Sequence, residues 1–73
     1  MMITAKEIKD IRNGLNLSQS KFSKLFGIGL RAIQQWENGN RTPSPTGELL
    51  LRIIESNPDV VIEVSKKIMN KND

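Results

Sequence analysis

The chain has 73 residues, with 11 Lys and Arg against 8 Asp and Glu for a formal charge of +3. It contains no Cys, no His and no Tyr, which removes thiolate and imidazole metal ligands, disulfide bonding and the usual nucleophile–base pairs. A chain of this size buries only about 60% of the surface its unfolded form exposes, so one modest core is expected, with no enzyme chemistry, metal or cofactor.

The charge is uneven. Residues 1–42 hold seven Lys and Arg against three Asp and Glu, and residues 43–73 hold four against five, so the positive field belongs to the first part of the chain. No apolar run approaches the roughly 18 residues of a membrane span. The opening Met-Met-Ile-Thr-Ala-Lys-Glu lacks a basic-then-apolar signal pattern, and a cytoplasmic location is expected.

In chain order, Ile3-Thr4-Ala-Lys-Glu7-Ile8 predicts a helix start, with Thr4 as N-cap, Glu7 completing a capping box and Ile3 set against Ile8 as a hydrophobic staple. This first helix runs to about Asn13, its inner side formed by Ile8, Ile11 and Leu15, and Gly14 permits the turn. Ser18 caps a second helix whose Phe22, Leu25 and Phe26 point inward, and Gly27 closes it. The third helix starts at Gly29, which supplies no side-chain oxygen as a cap, and ends at Asn38-Gly39 in a left-handed C-cap. The stretch Asn40 to Thr46 reads as a loop, within which Ser44 can cap, and Pro45 open, a fourth helix carrying Leu49, Leu50, Ile53 and Ile54. Asn57-Pro58 repeats that signal before a last segment, Asp59 to about Met69. Its Val60-Val61-Ile62-Glu63-Val64 is β-branched enough for a strand, but Val61, Val64 and Ile68 keep helical spacing and no second strand is visible. From Asn70 the tail is expected to fray.

The chain therefore predicts an all-α fold, a compact five-helix bundle read as a single domain over residues 1–73, with a helix-turn-helix at 18–38. On the third helix, at about 100° per residue, Ala32, Ile33 and Trp36 cluster on one side. Leu30, Arg31, Gln34, Gln35 and Asn38 fall within an arc of roughly 140° opposite. Such a helix presents Arg and Gln outward, side chains that form paired hydrogen bonds with guanine O6/N7 and adenine N6/N7 in a major groove. By spacing alone the same face also fits ordinary solvated surface. Lys21, Lys24, Asn38, Asn40 and Arg41 are candidates for contact with a phosphate backbone. Trp36 shares a face with Ile33 and is assigned to the core rather than to base stacking.

The pattern Leu17-Ser-Gln-x-x-Phe-x-x-x-Phe-Gly-Ile-x-x-x-x-Ile-x-x-Trp-Glu-x-Gly-x-Arg-x-Pro43 resembles the Cro/cI-type (Xre-like) helix-turn-helix family, whose five-helix, lambda-repressor-like domain would cover nearly the whole chain. The resemblance implies a two-fold dimer on double-stranded DNA with a palindromic operator, base contacts from Leu30, Arg31, Gln34 and Gln35, and a phosphate contact from Gln19 at the first turn of helix two. It also implies that Arg12 pairs with Glu37, clamping helix one to helix three. The combination Phe26-Gly-x-Gly-x-x-Ala-x-x-x-Trp-Glu-x-Gly39, Pro43-x-x-Thr46-x-x-Leu49-Leu50 and Asn57-Pro58 is similar to helix-turn-helix antitoxins of bacterial type II toxin–antitoxin modules, including the DNA-binding half of the MqsA group. That similarity covers about residues 4–64. The absence of a zinc-binding amino-terminal domain and of any cysteine departs from the MqsA group, so its toxin contacts do not transfer.

The function these features imply is a sequence-specific transcriptional repressor, an antitoxin that represses its own operon, with a cognate toxin as protein partner. A stand-alone phage-type repressor is a second reading. A protein-interaction module with no DNA role is a third, drawn from Val60, Val61, Ile62, Val64, Ile68 and Met69, which are too many for one narrow buried stripe.

Overall fold

The computed structural model describes residues 2–71, and their side chains as far as Ile68. Five helices follow one another: α1 (Ala5–Gly14), α2 (Gln19–Phe26), α3 (Leu30–Glu37), α4 (Pro45–Ser56) and α5 (Pro58–Lys71). Three of them begin on a hydroxyl cap. The Thr4 hydroxyl accepts from the Glu7 amide at 3.1 Å while the Thr4 amide donates to the Glu7 carboxylate at 3.0 Å, and Ser18 and Ser44 accept from the Lys21 and Gly47 amides. Each bond satisfies a backbone donor that the first helical turn leaves without a partner. α3 has no such bond, since Gly29 is its N-cap.

Left-handed residues follow the first three helices. Gly27 (φ 68°) closes α2 and Gly39 (φ 77°) follows α3, where the Gly39 amide donates to the Trp36 carbonyl and the Asn40 amide to the Gln35 carbonyl, the pair of bonds of a Schellman motif. After α1 the expectation needs correction. Gly14 lies inside the helix, and the turn is made by Asn16 at φ 58°, Asn being the residue other than glycine that most readily takes this conformation.

The core is formed by Ile3, Ile8, Ile11, Phe22, Phe26, Ile28, Ile33, Leu51 and Ile54. α1 lies against α3 and α4, α2 against α3 and α5, and α4 against α5, so all five helices share this interior, with a radius of gyration of 11.8 Å close to the roughly 11 Å of a well-packed chain this long. The Phe22 and Phe26 rings meet at 4.8 Å with a 56° tilt, a favourable aromatic geometry.

The last two helices turn only part of their apolar residues inward. On α4, Leu51 and Ile54 are buried, whereas Leu49 is 61% and Ile53 42% exposed. The final segment is helical, but Val61 and Ile62 pack on the core while Val60, Val64 and Ile68 are half or more exposed. Both segments carry adjacent apolar residues, Leu49-Leu50-Leu51 with Ile53-Ile54 and Val60-Val61-Ile62, so the helix can turn more than one face inward, and packing on α1, α2 and each other decides which. α5 continues past the end expected near Met69, so the tail is still helical at Asn70 and Lys71. The Met69 side chain and residues 72–73 lie outside the described residues.

Candidate nucleic-acid interface

α2 and α3 are joined by Gly27-Ile28-Gly29. This connection is pinned from both sides: the Ile28 amide donates to the Ser23 carbonyl at 3.2 Å, and the Ser23 hydroxyl donates to the Ile28 carbonyl. The Ile28 side chain is buried, so the turn is anchored in the core as well as by its hydrogen bonds. The angle at which α3 leaves α2 is therefore fixed by three contacts within six residues.

On α3, Ile33 is fully buried, and Ala32 and Trp36 pack partly buried against the core. Arg31, Gln34 and Asn38 are exposed, Leu30 is 39% exposed and Gln35 is half-buried. The Schellman turn folds the next residues back, and the Arg41 amide also donates to the Gln35 carbonyl at 3.3 Å. This holds the exposed Arg41 at the carboxyl end of the polar face.

Behind that face lies an ion pair joining helices far apart in sequence. Arg12 of α1 meets Glu37 at the end of α3 in a bidentate arrangement, Nε to Oε2 at 2.7 Å and Nη2 to Oε1 at 2.8 Å, with side-chain exposures of 15% and 1%. The remaining Arg12 donor, Nη1, reaches the Leu17 carbonyl at 2.8 Å. Gln19 joins the same cluster, its amide donating to Glu37 Oε1 at 3.1 Å. Burial pushes the Glu37 carboxyl upward, but the hydrogen bonds from Arg12 and Gln19, with the charges of Arg12 and Lys9, outweigh it and bring Glu37 below the ordinary carboxylate range. Among the described residues no buried side-chain polar atom lacks a partner.

Residues 1–65 match the family described as "Antitoxin component of bacterial toxin-antitoxin system, MqsA". The chain belongs to the MqsA antitoxin family. It is similar to Antitoxin MqsA of Escherichia coli (strain K12), 35% identical over 57 residues that make up 78% of this chain and 44% of that protein. It is also similar to Antitoxin HigA-2 of Vibrio cholerae, 27% identical over 64 residues (88% and 62%). A third relative, YiaG of Escherichia coli (strain K12), named as an HTH-type transcriptional regulator, is 30% identical over 63 residues (86% and 62%). The chain thus spans about half the length of these relatives, from 44% to 62%.

In this MqsA-family chain the residues singled out from sequence fall into two groups. Leu30, Arg31, Gln34, Gln35, Asn38 and Arg41 gather on α3 and the turn after it. Lys21 lies in the first turn of α2 and borders a different surface, lined also by Leu17, Lys24, Leu25 and Lys66. Among the described residues, Lys21, Arg31 and Arg41 form no salt bridge. Gln19 has a role that sequence reasoning missed, since its amide is directed inward to Glu37. Ser23 was also missed, and its only local signal was a hydroxyl one turn before Gly27. A second interhelical pair, Arg52 to Glu7 at 3.1 Å, ties α4 to the start of α1. Among the described residues there is no cluster of His, Cys, Asp or Glu able to hold a metal, and no helix long and apolar enough to cross a membrane.

Proposed function

We propose that residues 1–73 form a lambda-repressor-like helix-turn-helix domain that binds double-stranded DNA as a repressor, with α3 in the major groove. The observation that carries this reading is the two-sidedness of α3: Ile33 is fully buried, while Arg31 and Gln34 stand exposed on the other side. Arg31, Gln34 and Gln35 read base edges by hydrogen bonding and Leu30 by apolar contact. Gln19, Lys21, Asn38 and Arg41 meet phosphates. Gln19 does so with the amide proton not given to Glu37, at the amino-terminal turn of α2.

The operator is a palindrome met by a homodimer, with half-sites about one turn, 34–36 Å, apart. A protomer of 35 × 24 × 23 Å allows two copies to sit side by side at that spacing. The exposed Val60, Val64 and Ile68 of α5, at 53%, 50% and 59%, supply an apolar surface for self-association. Similarity to antitoxins supports the setting: an antitoxin acting in the cytoplasm, autoregulating the operon it shares with a cognate toxin.

The test is a titration of DNA from upstream of the gene, at two salt concentrations and with random competitor. Specific binding should survive the competitor and weaken steeply with salt. Arg31→Ala should lower affinity for the operator by about 1–3 kcal/mol and relax base choice at one position per half-site. Unchanged discrimination between the operator and its point variants would remove Arg31 from base readout.

A further inference from the structure

A groove of about 390 Å³ runs between α2 and α5, lined by Leu17, Lys21, Lys24, Leu25 and Lys66. Its wall is carbon nearly throughout, so the three lysines lay their methylene stems along it and hold their ammonium groups at the rim. Leu17 and Leu25 are half-buried and rest on the core below. Among the described residues no carboxylate lines the groove, and Lys21, Lys24 and Lys66 form no salt bridge. The carboxylates Asp10 and Glu55 border a separate cleft formed by α1, α4 and the start of α5.

We infer that this α2/α5 groove is a docking site for an acidic amphipathic segment of a partner protein. Such a segment seats one or two apolar side chains on Leu17 and Leu25 and sets carboxylates against Lys21, Lys24 and Lys66. The volume lies at the small end of the roughly 300–1,000 Å³ of ligand pockets, which suits a few side chains of a peptide rather than a folded surface. The apolar wall also separates this partner from nucleic acid. A phosphate backbone gains nothing from Leu17 and Leu25, whereas a helix with one apolar and one acidic face matches both wall and rim. Lys21 is shared with the DNA-binding proposal, which sets it against a phosphate, so the two are separated at Leu17, Leu25 and Lys66, none of which belongs to the proposed DNA face.

The test uses the full chain and a fluorescein-labelled synthetic helix of Glu, Leu and Ala, followed by anisotropy at low salt. Two control peptides replace Glu by Lys, or Leu by Ser. The acidic Leu peptide should bind saturably, the Lys peptide should not bind, and the Ser peptide should bind more weakly. Lys66→Glu should weaken peptide binding about two- to tenfold, since it removes one rim attraction and adds a repulsion, while its melting temperature and operator affinity stay as in the wild type. Lys24→Glu/Lys66→Glu should weaken it further. The inference is overturned if the acidic peptide fails to saturate, if the Ser peptide binds equally well, or if Lys66→Glu leaves peptide binding unaltered. It is equally overturned if Lys66→Glu lowers the salt slope of DNA binding by about one unit, which assigns the rim to phosphate, or if it changes only self-association.

Discussion

Arg12→Met is the substitution whose outcome the geometry constrains most tightly. It removes both bonds to Glu37 and the one to the Leu17 carbonyl, leaving a carboxylate that is 1% exposed with only the Gln19 amide as donor. Breaking a buried pair in this way costs about 3–5 kcal/mol. A domain of this length has a total stability of roughly 4–11 kcal/mol, so the variant should sit at the edge of folding, with a melting temperature lower by roughly 12 °C or more. The pH response should also change sign. In the wild type Glu37 titrates below its ordinary value, so its contribution is present above the unfolded-state pKa and is lost as pH falls through the lower, folded one. Without Arg12, burial, the largest influence on this group, dominates and raises the folded pKa above the unfolded one. The variant should then gain stability relative to the wild type as the pH drops from 7 toward 5. Urea unfolding followed by circular dichroism at a series of pH values measures both effects. A loss under about 1 kcal/mol at pH 7, or a parallel pH dependence in the two proteins, would refute the reasoning. Arg12→Met/Glu37→Leu should recover much of the loss, because no charge is then left stranded.

Lys21→Ala and Arg41→Ala should each lower DNA affinity almost equally across sequences and reduce the salt slope by about one unit; an unchanged slope makes that residue surface charge only. Asn16→Gly should leave stability nearly unaltered, whereas Asn16→Val should cost more than the roughly 1–2 kcal/mol of an ordinary left-handed residue, as read by thermal melting. Val64→Glu should leave the fold intact, since Val64 is 50% exposed, and should shift the protein toward monomer in sedimentation. If association is unaffected, α5 is not the dimer surface.

The local signals of the fold were the ones most legible in the sequence. Thr4 with Glu7, Ser18 and Ser44 all sit where a hydroxyl reaches an amide two or three residues on, a relation contained within a few residues. Gly27 and Gly39 were legible for the same reason. Asn16 was not, because Gly14 stood nearby as the more permissive residue and only the path of the chain into α2 decides between them. The faces of α4 and α5 were hidden by excess: with Leu49, Leu50, Leu51, Ile53 and Ile54 broken only by Arg52, periodicity names no single stripe. At the candidate interface, the outward direction of Arg31 and Gln34 followed from Ile33. The inward hydrogen bond of Gln19 depends on Glu37, 18 residues further along, and no short window contains both.

The bare start of α3 has a practical corollary. Gly29 has φ −57° and ψ 133°, angles open to any L-amino acid, and a Cβ added there meets nothing within 4 Å. A serine at this position would fit without rearrangement, contribute the missing cap and restrict the denatured chain, together worth roughly 0.5–1 kcal/mol. The protein thus holds a reserve of thermal robustness at one surface residue, reachable by a change that leaves the hydrophobic interior untouched.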